Sequence, residues 1–182
     1  MELTELAREI GFEEACILSV DTLRLLPEVR EMCASGRCVL YGKRWSCPPA
    51  CGSIETCEKR IRKYQSGVLV QTVGLLEDVF DADGIALAER IHKQRFAVFA
   101  RQVRLLRHDC LPLTAGGCTR CSVCTYPKKS CRFPRKMMSS MEAYGLLVSD
   151  VCEKNGIPYY HGEGTIAFTS CILTEKKRGD NS

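Results

Sequence analysis

A run of four cysteines behind two glycines constrains this chain more than any other part of its sequence. The run is Gly116-Gly117-Cys118-x2-Cys121-x2-Cys124-x6-Cys131. Three thiolates spaced two residues apart can wrap around a polynuclear centre so that each binds a different iron, while a more distant fourth cysteine closes the centre. Zinc sites more often combine two separate C-x2-C pairs on one ion. The spacing therefore favours a 4Fe-4S cluster, with zinc as the alternative.

A second group of cysteines surrounds a pair of prolines. It reads Cys33-x4-Cys38-x8-Cys47-Pro48-Pro49-x-Cys51-x5-Cys57. The two prolines fix the backbone after Cys47 and stiffen a loop that would carry a ligand. The group predicts a second centre, whose four ligands are Cys33, Cys38, Cys47 and Cys57. Cys51 and Cys171 are alternatives for the fourth ligand, and a redox-active thiol pair or unliganded cysteines are other interpretations of the group.

Cysteine usage also predicts the compartment. The chain contains 13 cysteines in 182 residues, and an odd number does not form a closed disulfide framework. Thiols stay free for metal in a reducing compartment. The first ten residues contain acidic side chains where a secretory signal needs a basic region followed by an apolar one. No run approaches the ~18 consecutive apolar residues of a membrane span. These features predict a cytoplasmic protein with no membrane contact.

Positive charge is concentrated around the four-cysteine run. The net charge of the whole chain is only +4, yet residues 116–141 contain six cations and no acid. A 4Fe-4S centre with four thiolate ligands is anionic, so neighbouring cations offset its charge. The segment lacks regularly interleaved aromatic residues and known nucleic-acid motifs, and we expect no nucleic-acid partner. Neither G-x-G-x-x-G nor G-x-x-x-x-G-K occurs, which gives no support for a dinucleotide or P-loop site.

Apolar periodicity and turn residues predict helices and strands that alternate along the chain. The predicted helices cover residues 3–10, 28–34, 54–64, 83–100 and 139–155, the last behind a capping-box pattern. The predicted strands cover residues 15–20, 68–73, 110–114 and 165–173. This order predicts a single α/β domain over residues 1–175, with a mixed sheet of about four or five strands, packed helices and two cysteine-rich metal-binding loops. Residues 176–182 are predicted to be a disordered tail.

Two longer motifs resemble a known protein family. They are Cys33-x4-Cys38-x2-Tyr41-Gly42-x2-Trp45-x-Cys47-Pro48-Pro49 and Gly117-Cys118-x2-Cys121-x2-Cys124-x6-Cys131-Arg132-x-Pro134, the latter followed by Ser140-Met141-Glu142-Ala143-x-Gly145. Over roughly residues 3–173 the chain resembles the DUF2284 family of predicted metal-binding proteins. The resemblance implies cysteine-bound metal in a prokaryotic cytoplasmic protein, and it implies no established reaction. Family members commonly read Arg-Pro-Ser-Met-Glu-Ala where this chain reads Met138-Ser-Ser-Met-Glu-Ala143, so one arginine suspected of a role near the centre is absent.

Two classes of function follow from these features. In the first, the protein carries one or two 4Fe-4S clusters and transfers electrons as a small carrier or partner subunit, whose basic face binds a redox partner protein. In the second, it is an enzyme in which an incompletely liganded iron binds and reduces a small substrate. A zinc-binding scaffold or a metal-delivery protein is a further alternative. Trp45, the sole tryptophan, is expected to shield a centre or to pack in the core.

Overall fold

The strands of the sheet are segments rich in β-branched and apolar side chains, which pack well on a pleated surface. The structure, a computed structural model, describes residues 2–107 and 109–175. Within these residues the strands are β1 (Glu14–Ser19), β2 (Ser66–Leu75), β3 (Cys110–Thr114), β4 (Ser139–Ser140) and β5 (Thr165–Thr174). The α-helices are α1 (Leu3–Ile10), α2 (Pro27–Ala34), α3 (Ile54–Ile61), α4 (Ala82–Leu106) and α5 (Val148–Lys154).

The five strands form one mixed sheet in the order β1-β2-β5-β3-β4. The central strand, β5, pairs antiparallel with β2 on one side and with β3 on the other. β1 is antiparallel to β2, whereas β3 and the short β4 are parallel. The predicted α/β fold with a mixed sheet of four or five strands is therefore confirmed. The predicted tail at residues 176–182 lies outside the described residues.

Successive residues of the central strands point to opposite faces of the sheet, and a core forms on each face. Val70 and Ile172 belong to the core under α1 and α4, whereas Leu69 and Leu173 belong to the core under α3 and α5. Helices cover both faces of the sheet. The cysteine-rich segments that follow α2 and β3 are loops outside these packed elements. In residues 2–107 and 109–175, no helix is both long and apolar enough to cross a membrane.

The helix predicted over residues 139–155 is wrong in its first half. Its first two residues instead form β4, which pairs with the end of β3. The Ser140 hydroxyl accepts a backbone N–H three residues later at 3.0 Å, so the capping pattern starts only a short 3-10 turn over residues 142–144. Gly145, with φ +81°, ends this turn, and α5 begins at Val148. Pairing with a distant strand has overridden the local helical pattern, which a single sequence does not reveal.

A buried histidine connects α4 to the sheet. His92 is fully buried on α4, and its ring nitrogens share hydrogen bonds with the hydroxyls of Thr72 on β2, at 3.0 Å, and Ser170 on β5, at 2.6 Å. Burial, aided by the charges of Arg95 and Lys93, lowers the pKa of His92 to about 3. The imidazole is therefore neutral in the folded protein, and its two bonds fix α4 against the central strands.

Replacement of His92 by glutamine tests this arrangement. Because the folded pKa of His92 is about 3 and its ordinary value is 6.5, the unfolded chain binds a proton between these pH values that the folded chain does not. The histidine's contribution to stability is therefore complete above pH 6.5 and is lost as the pH falls, by up to ~1.4 kcal/mol per pH unit. In urea titrations between about pH 5 and about pH 7, we expect the free energy of unfolding of His92→Gln to depend less on pH than that of the wild type. Equal pH dependence in both proteins would contradict a neutral His92.

Candidate metal centres

The four-cysteine loop is attached to the sheet at the end of β3. The residue after β3 donates its N–H to the Ser170 hydroxyl at 2.8 Å. Gly116 then adopts φ +65°, a left-handed conformation that side-chain-bearing residues rarely adopt. A Cβ at Gly117 would lie 2.5 Å from Leu40 Cδ1 and 3.6 Å from Cys47 Sγ. The two glycines therefore turn the chain out of the sheet and let the two cysteine-rich segments touch.

The four cysteines of this loop line one narrow cavity. Its wall contains Cys118, Cys121, Cys124 and Cys131 together with Arg44, Trp45 and Ser46. The structure thus brings the ligand set predicted for the C-terminal centre to one place. As the side chains stand, no three or more His, Cys, Asp or Glu residues within the described part of the chain are close enough together to hold a metal ion. A metal centre at this place would therefore require the thiols to move closer together.

Internal hydrogen bonds close the six-residue gap before Cys131 into a turn. The Thr125 hydroxyl donates to the Ser130 carbonyl at 2.9 Å, and the Thr125 carbonyl accepts a backbone N–H four residues later at 3.0 Å. Arg132 donates to the carbonyl that precedes Cys124, at 2.9 Å. These bonds turn the chain back on itself, so that Cys131 reaches the cavity of Cys124 despite the longer spacing between them.

Three consecutive residues of the N-terminal segment hold the cysteine loop. Arg44 donates a hydrogen bond to the Cys118 carbonyl, and the Ser46 hydroxyl accepts the Cys118 N–H at 3.3 Å. Trp45 donates its ring N–H to a carbonyl of the closed turn at 3.1 Å. Its ring meets Tyr126 edge-on, with 5.0 Å between the ring centroids. Trp45 thus lines the cysteine cavity and holds its loop, and its role in shielding a centre stays a prediction.

The environment of Cys124 favours a thiolate. Burial alone raises the pKa of this thiol, but the backbone N–H groups of Tyr126 and Trp45 and the charge of Arg44 together bring the pKa below its ordinary value. Metal coordination requires a deprotonated sulfur, and hydrogen bonds from N–H groups to cluster sulfurs tune iron-sulfur centres. The same contacts that favour the thiolate therefore suit a metal ligand.

Three of the N-terminal cysteines lie together where α2 ends and the proline pair begins. Burial raises the pKa of Cys33, in the last turn of α2, and the nearby thiols of Cys38 and Cys47 raise it further. Burial likewise raises the pKa of Cys47, and the thiols of Cys38 and Cys51 add to the shift. Neighbouring thiols disfavour one another's ionisation, and a bound cation reverses this effect. The predicted ligands Cys33, Cys38 and Cys47 are thus near one another.

The fourth predicted ligand, Cys57, lies deeper in the molecule. It is fully buried on α3 and belongs to the hydrophobic core on that side of the sheet. Cys51 forms hydrogen bonds with both Cys47 and Cys57. Its N–H donates to the Cys47 carbonyl at 3.0 Å, and its carbonyl accepts a hydrogen bond from the Cys57 thiol at 3.9 Å. A hydrogen bond between the thiols of Cys51 and Cys57 raises the pKa of Cys51 and lowers the pKa of Cys57. The charge of Arg30 also lowers the pKa of Cys57. Cys51 is the closer neighbour of Cys47.

A carboxylate lies beside the N-terminal group. Glu142 belongs to the 3-10 turn that packs against α2, and its charge raises the pKa of Cys33 after the larger effects of burial and Cys38. Its Oε2 atom is buried and has no hydrogen-bond partner among the described residues. Buried oxygens of this kind are rare in proteins. The Oε2 atom of Glu142 can therefore accept a hydrogen bond beside Cys33.

The other cysteines lie in or against the hydrophobic core. Cys171, the other alternative for the fourth ligand, is fully buried on β5, where burial and then the neighbouring Cys152 raise its pKa to about 12. Burial is also the main cause that raises the pKa of Cys16 on β1 and of Cys110 on β3. Thiols in such apolar surroundings stay protonated and unreactive.

Several supporting residues were not predicted from the sequence. Arg44 and Ser46 contact Cys118 across sequence separations of 74 and 72 residues. Arg30 and Arg60 donate to the carbonyls of Gly52 and Cys51 at 2.8 and 2.7 Å and hold the turn before α3. The only sequence signal for Arg44 and Ser46 is their place beside the tryptophan and cysteine of the N-terminal motif. The two other arginines carry no signal, because only the packing of α2 and α3 against the 3-10 turn over residues 142–144 places them.

The comparison with protein families matched residues 16–174 to the family described as "Predicted metal-binding protein (DUF2284)". This span covers most of the chain and includes both cysteine groups. The chain belongs to this family, as its motifs predict. Neither the curated proteins nor the solved structures gave a significant match.

Substitution of Cys51 and Cys57 identifies the fourth ligand of the N-terminal group. Because Cys51 is the closer neighbour of Cys47, we expect Cys51→Ala to lower the metal content of the anaerobically purified protein. Cys57→Ala should keep the metal and lower the free energy of unfolding by about 1–2 kcal/mol, since it empties part of a packed core. Metal analysis and urea unfolding of both variants measure the two effects. The opposite pattern would establish Cys57, the ligand that the sequence predicts.

Proposed function

We propose that this protein is an iron-sulfur protein that carries two 4Fe-4S clusters and transfers electrons as a small carrier or partner subunit. One observation carries the proposal: the four cysteines of the C-terminal loop line a single cavity, directly beside the N-terminal cysteines. The description of the family extends only to metal binding. The iron-sulfur assignment comes from the spacing and surroundings of the thiols.

The donor set suits a cluster. Four thiolates are the usual ligands of a 4Fe-4S centre, and the overlapping C-x2-C-x2-C spacing provides three of them from one short loop. Arg44 and Arg120 line the same cavity and offset the negative charge of such a centre. A cluster of this type supplies reversible one-electron storage. Structural zinc uses the same soft ligands, so metal analysis has to separate the two.

The contact between the two cysteine groups supports electron transfer. Cys47 Sγ would be 3.6 Å from a Cβ at Gly117, the residue before Cys118. The Ser46 hydroxyl also accepts the Cys118 N–H at 3.3 Å. Cys47 and Cys118, predicted ligands of the two centres, are therefore close together. They are connected by the Gly117 contact and by the hydrogen bond of Ser46. Electron transfer between centres becomes faster as their separation shortens, so this contact suits two centres that exchange electrons.

The outer surface of the C-terminal loop suits a protein partner. Val123 and Phe133 expose 73% and 41% of their surface beside the cysteine cavity. The same loop carries the exposed cations Lys128, Lys129 and Arg132, which are not part of the cavity wall. Apolar side chains with a basic rim match a redox partner whose docking face is acidic, because complementary charge speeds and orients association. The thiol content fits a reducing compartment, and a cytoplasmic location stays a prediction.

Glu142 favours a second candidate function, that of a reductase. Its buried Oε2 atom lacks a partner within the described residues and lies in the turn beside Cys33. A carboxylate next to a centre with an incomplete ligand set can deliver a proton to a bound substrate. This alternative requires that neither Cys51 nor Cys57 acts as the fourth ligand. The zinc scaffold and metal-delivery alternatives have no such specific observation in their favour.

Iron and sulfide analysis tests the proposed function. We expect anaerobically purified protein to be brown and to contain about eight iron and eight sulfide per chain. Cys131→Ala should lose about four of each, because it removes a ligand of the C-terminal centre. Cys16→Ala is the matched control, since Cys16 is half-buried on β1 and belongs to neither group, and it should keep the full content. Stoichiometric zinc without sulfide in an iron-replete anaerobic preparation would exclude the iron-sulfur function.

Electron paramagnetic resonance tests whether the two centres are neighbours. In the fully reduced protein we expect spin–spin broadening, because Cys47, a predicted ligand of one centre, lies beside Gly117, the residue before a predicted ligand of the other. Cys33→Ala and Cys131→Ala each leave one centre, and each variant should give a sharper, isolated signal. A wild-type spectrum equal to the sum of the two variant spectra would contradict the close approach.

A further inference from the structure

A second and larger cavity lies on the other side of Cys118, between α4 and the C-terminal cysteine loop. Its volume is about 610 Å³, within the range of small-molecule sites. Cys118 and Arg120 line both this cavity and the cavity that contains the four cysteines. A molecule bound here would therefore lie against the backbone segment that carries a predicted cluster ligand.

The wall of this cavity is strongly cationic. Among the described residues it contains six cations and no carboxylate, and the cations are Lys93, Arg101, Arg104, Arg120, Arg135 and Lys136. Lys93 forms an ion pair with Glu89. The other five form no ion pair within the described residues. Positive charges that line one cavity repel one another, even where they are partly solvated, and a bound anion would relieve this repulsion.

The arrangement of these cations is not explained by a metal centre alone. Arg101 and Arg104 come from α4, which carries none of the predicted metal ligands, and they line the cavity together with residues of the loop. Arginine has a planar fork that binds carboxylates and phosphates through two parallel hydrogen bonds. Four of the six cations are arginines. Two walls of such groups around one space match a ligand with more than one anionic group.

Part of the wall is apolar. Ala97, Val98 and Leu105 of α4 and Met138 of the loop also line the cavity. A cavity with apolar sides and a few charged groups is typical of sites for small organic molecules. A nucleic acid would instead require cations along an extended stripe of the surface. From the cations, the apolar wall and the volume, we infer that this cavity binds a small organic anion that carries at least two phosphate or carboxylate charges.

Calorimetric titration of the holoprotein tests the inference. ADP serves as a probe for phosphate groups with an apolar body, citrate for compact carboxylates, and a short RNA oligonucleotide for nucleic acid. We expect ADP or citrate to bind saturably at one site per chain, and the tighter of the two identifies the anionic group that the arginines recognise. Tight binding of the oligonucleotide without saturable binding of ADP or citrate would overturn the inference, as would the absence of any saturable binding at millimolar concentrations.

Two variants connect the binding to the cavity. In Arg101→Gln/Arg104→Gln, the affinity for the small anion should fall at least about tenfold, since two cations of one wall are lost. Arg90→Gln is the matched control, because Arg90 is exposed on α4 and does not line the cavity, and its affinity should equal that of the wild type. Equal affinity in the double variant and the control would overturn the inference.

The test is independent of the metal. Iron content and thermal midpoint of the double variant should match those of the wild type, because neither arginine lines the four-cysteine cavity. Protein that contains zinc and still binds the anion would exclude the proposed iron-sulfur function and leave the cavity assignment standing. Iron-loaded protein that binds neither anion would overturn the cavity assignment and leave the proposed iron-sulfur function standing.

Discussion

The hydroxyl group of Ser170 is the point at which the sheet, the long helix and the cysteine loop are joined. It accepts the Ala115 N–H at 2.8 Å and shares a hydrogen bond of 2.6 Å with His92. Since Ala115 directly precedes the two glycines, the start of the loop is fixed to the central strand of the sheet. The loop has little core of its own, so these buried hydrogen bonds determine where Cys118 lies.

Local patterns predicted most of the fold and only part of the candidate centres. Apolar periodicity located the strands that pack in the core, and the C-x2-C spacing located four thiols that share a cavity. The helix predicted at Ser139 failed because those residues pair with β3, a contact that no local pattern records. The sequence favoured Cys57 over Cys51 as the fourth ligand, whereas the packing of α3 places the Cys57 side chain in the hydrophobic core. The cationic cavity combines side chains from two distant segments, and only folding brings them together.

The position of Cys118 between two cavities joins the two proposals. On one side its loop faces the other thiols, and on the other side it faces the arginines of α4. An anion bound among these arginines would change the electrostatic potential at the nearby centre, since charge close to a cluster is one of the factors that set its reduction potential. The protein could thereby couple the occupancy of one cavity to the readiness of the other to exchange an electron. Such coupling would be reciprocal, because the oxidation state of the centre would alter anion affinity by the same factor.

The central place of β5 has a consequence for biosynthesis. β5 is the last of the five strands along the chain, yet it lies between β2 and β3 and pairs with both. While the ribosome is still making residues 165–174, the inner edges of β2 and β3 have no partner, and unpaired edges promote association between nascent chains. The anchor of the cysteine loop, Ser170, is also missing until then. The start of the cysteine loop is therefore fixed to the sheet only after β5 has been translated, and a metal centre in this loop would gain its anchored form only then.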